Sequence, residues 1–150
     1  MQGTRWGAYG ASAILSILTL SVFYALRDYG PESALRRFHQ ATIDQDLQAL
    51  QRVCKEDVES PAVQRLLQHV STLVRQGARI RMGFVHRENR QERVGSQTAT
   101  VPSVITEVRY YTAQGVENIF WVLDHDPAGW VVNVSETLSF PARLGAGRPG

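Results

Sequence analysis

His86 is the strongest single candidate for chemistry in this chain. It follows Ile80, Met82 and Phe84 at intervals of two, so an extended strand would place an imidazole at the end of an apolar row. A general base there needs a tuned pKa and an orienting partner. Glu107 and Tyr110 offer polar groups on the next strand candidate, and Trp121 an aromatic wall on the one after, so these four are the residues that would line a pocket. The competing reading places His86 at the wet end of its strand. It also makes Glu107 and Arg109, two residues apart, a solvated ion pair on an exposed strand face.

The remaining chemistry-bearing residues point away from a reaction. His39 and His69 fall on separate helical segments without metal-binding spacing, and read as surface or helix-flank residues. Asp124-His125-Asp126 reads as a hairpin tip, since three consecutive side chains rarely converge on one ion. Cys54, the one cysteine, has no neighbouring group to lower its pKa and reads as a buried structural thiol. No glycine-rich phosphate loop or nucleophile elbow occurs. The sequence therefore nominates no catalytic residue, no cofactor and no metal.

The elements that must position these residues occupy 150 residues, 43% hydrophobic and 20% charged. That composition excludes wholesale disorder. With 16 basic and 14 acidic residues, a histone-like character or acidic tail is excluded. Only Lys55 among the basic residues is lysine; the rest are arginine.

Gly7 to Leu26 is free of formal charge and would make a helix roughly 30 Å long, enough to span a bilayer's hydrocarbon. Trp6 and Tyr9 at one end, and Tyr24 and Arg27 at the other, suit its interfaces. Phe23 fits poorly at −3 of a signal-peptidase site, so an uncleaved anchor over 7–27 is expected, after a tail of residues 1–6. Ala8, Ser12, Ser16 and Thr19 form a small-residue face suited to packing against another membrane helix. Arg27, Arg36 and Arg37 after the run lean toward an inward domain; the short N-terminal tail favours the outer side of a bacterial inner membrane.

The folded domain is expected over 28–140, with a Gly/Pro-rich tail over 141–150. Pro31 opens a helix carrying Ala34, Leu35, Phe38, Ala41 and Thr42, and Asp44 is read as the N-cap of a second through Leu47, Leu50 and Val53. Ser60-Pro61 starts a third, with an apolar stripe from Ala62 to Val74 and Gly77 at its end. The period then changes to two. A turn is expected near Asn89, and a long strand over 96–112 with Pro102 at an edge or bulge. Another strand is expected over 116–124, a tight turn at Asp126-Pro127-Ala128-Gly129, and a last strand over 130–138. Helices followed by an antiparallel meander indicate an α+β layer pair. Arg75, Arg79, Arg81, Arg87, Arg90 and Arg93 outnumber Glu88 and Glu92 along one stretch; they would dock lipid headgroups or an acidic subunit, or simply face water. Without interleaved aromatics this run does not favour nucleic acid.

Ala34-Leu35-Arg36-Arg37-Phe38 with Asp46-Leu47-Gln48-Ala49-Leu50, then Ala99-Thr100-Val101, Val108-Arg109-Tyr110-Tyr111 and Gly129-Trp130-Val131-Val132, carry a family likeness. Over roughly residues 31–139 the domain resembles the nuclear-transport-factor-like, or SnoaL-like, α+β cone. The resemblance implies about three helices packed on a bent antiparallel sheet of four or more strands. Bacterial relatives often stand behind one membrane helix as scaffolds or accessory subunits, and others are pocket enzymes. The expectation is a non-enzymatic accessory or scaffold subunit of a membrane protein complex, touching lipid and partner subunits, with Trp121 or Trp130 as contacts if exposed. The alternatives are a tethered ligand-binding or isomerase-like pocket protein, and a secretion-system scaffold.

Overall fold

The computed structural model describes residues 14–22 and 30–146. Helix α1 covers residues 14–22. Then come α2 (Pro31–Asp44), α3 (Leu47–Val53), α4 (Pro61–Arg75), β1 (Arg79–Val94), β2 (Gln97–Thr112), β3 (Gly115–Asp126), β4 (Gly129–Val132) and α5 (Val134–Ala146). The strands form one curled antiparallel sheet in the order β1-β2-β3-β4. This is the expected α+β architecture, with helices leading and a meander following.

The opening helices form where the apolar stripes place them. Ala34, Leu35, Phe38 and Ala41 of α2 are buried, as are Val63, Leu66, Leu67, Val70 and Leu73 of α4. Ser60 accepts from the Val63 N–H and Pro61 takes the first turn. Helix α4 ends at Gly77 (φ 72°), where the N–H groups of Gly77 and Ala78 return to the Val74 and Leu73 carbonyls. Helix α2 makes the same turn on Gln45, at φ 56°. That extra left-handed residue delays the next cap: Asp46, not Asp44, accepts the Ala49 N–H at 3.0 Å.

Three differences in the sheet have local causes. Strand β1 runs straight through Asn89, and the turn falls at Gly95 (φ 64°), between paired Val94 and Gln97. The polar residues about Asn89 belong to a ribbon reaching past β3, whose pairing with β2 begins at Ser103 and Asp124. Pro102 sits in that overhang, with a strand on one side only, as a residue lacking an N–H requires. Second, Gly83 and Phe84 stand together against Glu107, because the register passes from Met82–Val108 to Val85–Thr106. This bulge reverses the alternation, so His86 leaves the face of Ile80 and Met82.

Third, the last strand stops at Val132. Asn133 Oδ1 accepts the Glu136 N–H at 3.0 Å, and Glu56 accepts from the N–H groups of Val134 and Ser135, so the chain turns into α5. Helix α5 includes Pro141 and continues to Ala146, where the sequence reading expects a tail. The Thr137 hydroxyl accepts the Val122 N–H at 3.0 Å and occupies the edge of β3 beyond β4.

One sheet face carries Val108, Tyr110, Trp121, Leu123 and Val132 against α2, α3 and α4. The other carries Ser103, Ile105, Glu107, Val122 and Asp124, all buried. Ile14, Leu15, Ile17, Leu18, Leu20 and Val22 of α1 are all exposed. Among the described residues no helix is long and apolar enough to cross a membrane, and only 14–22 of the expected 7–27 span are described. Trp6, Ala8, Tyr9, Ser12, Tyr24 and Arg27 lie outside the described residues; Ser16 and Thr19 lie on α1.

Candidate functional site

The interior between helices and sheet holds a chain of three polar side chains. His39 Nδ1 lies 2.8 Å from the Leu35 carbonyl, which can only accept, so this nitrogen carries the proton. Nε2 is then the acceptor for the Tyr110 hydroxyl, at 2.6 Å. The same hydroxyl oxygen accepts from Trp121 Nε1–H at 3.1 Å. Every donor has an acceptor and the chain ends on a backbone carbonyl. Burial pushes the His39 pKa down, against the opposing Leu35 bond, and so favours the neutral ring. Burial pushes the Tyr110 pKa up, with the Trp121 bond opposing. Phe38 packs edge-on to Trp121, with centroids 5.0 Å apart. The space between these helices and the sheet is occupied by Phe38, Tyr110 and Trp121, all fully buried.

A second cluster lies on the other face, around Asp124. Its Oδ2 accepts from Arg90 at 2.7 Å, Asn133 Nδ2 at 2.7 Å and Lys55 Nζ at 2.9 Å; Oδ1 accepts from Ser103 at 2.5 Å. Lys55 also reaches both Glu92 oxygens, at 2.8 and 2.7 Å, and Arg90 pairs with Glu136 at 3.0 Å. Burial alone would raise the Asp124 pKa. The bonds from Ser103, Asn133 and Lys55, with the Arg90 charge, outweigh it and hold the pKa below its ordinary value. At Lys55, burial acts downward, but the Glu92 and Asp124 bonds win and raise the pKa. An amine held protonated in this way is no nucleophile near neutral pH.

The four pocket candidates do not converge. Tyr110 and Trp121 face the helices, whereas Glu107 and His86 lie on the opposite face. His86 is exposed. Glu107 is buried and pairs with Arg109 at 3.0 Å, so this pair is neither fully solvated nor part of a helix-side pocket. Trp121 is fully buried and offers no contact surface. His39 is a core residue, unlike the surface position expected; His69 is exposed and pairs with Glu117. Cys54 is buried, and burial, helped by the Glu56 charge, pushes its pKa up to about 12. Asp124, read as a hairpin tip, is the hub of the buried charge cluster. Among the described residues no group of side chains could hold a metal ion.

Of the arginine run, Arg90 is committed to Asp124 and Glu136, while Arg75, Arg79, Arg81, Arg87 and Arg93 are exposed. Two of the open grooves along α2 bear on the candidate residues and the core. One, of about 590 Å³, lies against β1 and is lined by Glu32, Arg36, His39, Ile43, Ile80 and Met82, among others. The other, of about 540 Å³, lies toward α3 and α4 and includes Leu47, Leu50 and Leu67. Neither brings a nucleophile and a base together. No family model matches the chain, and no curated protein and no solved structure matches it.

Proposed function

We propose that this chain is a non-enzymatic, membrane-anchored accessory or scaffold subunit, acting by contact with lipid and with other subunits. The observation that carries the reading is the filled interior. Phe38, Tyr110 and Trp121 occupy the space between helices and sheet, and burial favours the neutral form of His39 there, both of whose ring nitrogens have hydrogen-bond partners. The exposed apolar surface of α1 supports a hydrophobic environment for that segment, which the uncharged run over 7–26 extends. The layered α+β fold supports assignment to the nuclear-transport-factor-like cones. On this reading the domain stands on the outer side of a bacterial inner membrane, and Ser16 and Thr19 belong to a helix-packing face completed by Ala8 and Ser12.

The test is fractionation followed by gentle detergent extraction, affinity capture of the full chain and mass spectrometry of what accompanies it. The expected result is a carbonate-resistant membrane protein that brings defined partners. Recovery of the intact chain in the aqueous fraction would overturn the anchor. Ser12→Leu with Ser16→Leu is expected to reduce co-extraction; unchanged recovery of every partner removes the packing face.

A further inference from the structure

Strand β1 is an edge of the sheet, and along its outer side no strand is paired among the described residues. Beside its first residues the 590 Å³ groove separates it from α2. Ile80 and Met82 face that groove, and Ile43 on α2 forms its opposite apolar wall, with half its surface exposed. Arg79 and Arg81 alternate with Ile80 and Met82 along the strand, and Arg81 also borders the groove; both arginines are exposed and neither has an ion-pair partner among the described residues. An edge strand flanked by a helix groove can accept one more extended strand. Residues of that strand opposite Ile80 and Met82 would enter the groove, and residues opposite Arg79 and Arg81 would meet two unpaired cations.

We infer that β1 and the α2 groove form a docking site for an extended segment of a partner protein in which apolar and acidic residues alternate. This names the partner chemistry of the contact function proposed above, and it rests on that reading. A second copy of β1 is a poor occupant: antiparallel self-pairing over Arg79–Met82 would set Arg79 against Arg81 twice, and directly opposed like charges are destabilising. A partner with acids at alternate positions neutralises both arginines and fills the groove with its apolar side chains.

The probe is a labelled ten-residue peptide of alternating valine and glutamate, titrated by fluorescence anisotropy against the full chain in detergent. Saturable binding is expected. It should weaken about tenfold when the same residues are arranged as Val-Val-Glu-Glu blocks, which keep the charge and lose the alternation. Arg79→Glu with Arg81→Glu should weaken it similarly and create binding to an alternating valine–lysine peptide. Ile43→Asp, on the exposed groove wall, is the second variant should the first fail to fold, and should also weaken binding. Equal binding of alternating and blocked peptides overturns the site, since plain charge attraction would then suffice. So does absence of saturable binding, including the case in which phosphatidylglycerol vesicles bind through the same arginines and the peptide does not. Fractionation and co-extraction are read separately, so a failed peptide titration leaves the contact reading standing.

Discussion

Between the helices and the sheet, His39, Tyr110 and Trp121 join in a chain that carries no formal charge; across the sheet, Asp124 gathers two cations, an amide and a hydroxyl around a full negative charge. Both places bury polar atoms, and they meet the desolvation cost by opposite means. The first removes the charge, because burial lowers the imidazole pKa and the neutral ring suits one donor and one acceptor. The second keeps the charge and surrounds it. The difference follows from position. The aromatic chain is walled by Phe38 and the apolar faces of α2 and α4, and among the described residues none of its members forms an ion pair. The Asp124 cluster lies where β1, β2, β3, the Cys54–Val132 bridge and the start of α5 meet, so long side chains from several elements arrive together.

The largest test of this contrast is Asp124→Ala. It leaves Lys55 and Arg90 side by side without the carboxylate between them, and should lower stability by about 3–5 kcal/mol in urea denaturation. Tyr110→Phe breaks the neutral chain at its middle, leaving the Trp121 N–H without an acceptor and His39 Nε2 without a donor. The expected loss is smaller, about 1–3 kcal/mol. If the two losses came out equal, or in reverse order, the charged cluster would be no more demanding than the neutral one.

Helices α2 and α4 were legible because proline, cap and apolar stripe agree over several turns. The same stripe held a signal for His39: it follows Leu35 by four residues and adjoins Phe38, so a helix burying both buries the ring between them. The bulge was marked only by Gly83, a glycine inside an alternating run, and missing it assigned His86 to the wrong face. Asn133 with Glu136 three residues on was a helix-start pattern hidden inside an apolar run. Lys55 was the clearest unused signal. In a chain whose other basic residues are arginines, its ammonium meets three carboxylate oxygens at one point, which a planar guanidinium matches poorly. The meeting of Lys55, Arg90 and Asp124 could not be read from spacing, because it depends on the pairing register and on the path into α5.

Acid titration separates the two sites in one experiment. The His39 pKa is lowered from 6.5, so the unfolded chain takes up a proton first as pH falls; that contribution is full above 6.5 and declines below it, levelling once the folded ring is protonated. The Asp124 pKa is lowered from 3.8, so its contribution persists to about that pH and is lost further down, as pH passes through the folded value. Stability should therefore fall in two stages, followed by urea midpoints at successive pH values. His39→Leu should remove the upper stage alone, and Asp124→Asn the lower. A single stage abolished by either substitution would show the two sites to be coupled across the sheet.

The smallest effect belongs to the rim of the charged cluster. Glu92 is half-exposed, and its pair with Lys55 at 2.7 Å faces water, so Glu92→Gln should cost only about 0.2–1 kcal/mol. That difference should shrink further in 1 M salt, where screening acts over about 3 Å. The Asp124→Ala loss should persist under the same salt, because Asp124 is shielded from solvent by its own partners. A salt-insensitive Glu92 would move the boundary of the buried cluster outward to include β1's overhang. The ribbon past β3 would then be held down by Lys55 as firmly as Arg90 is held by Asp124, and the whole hairpin would unfold with the core.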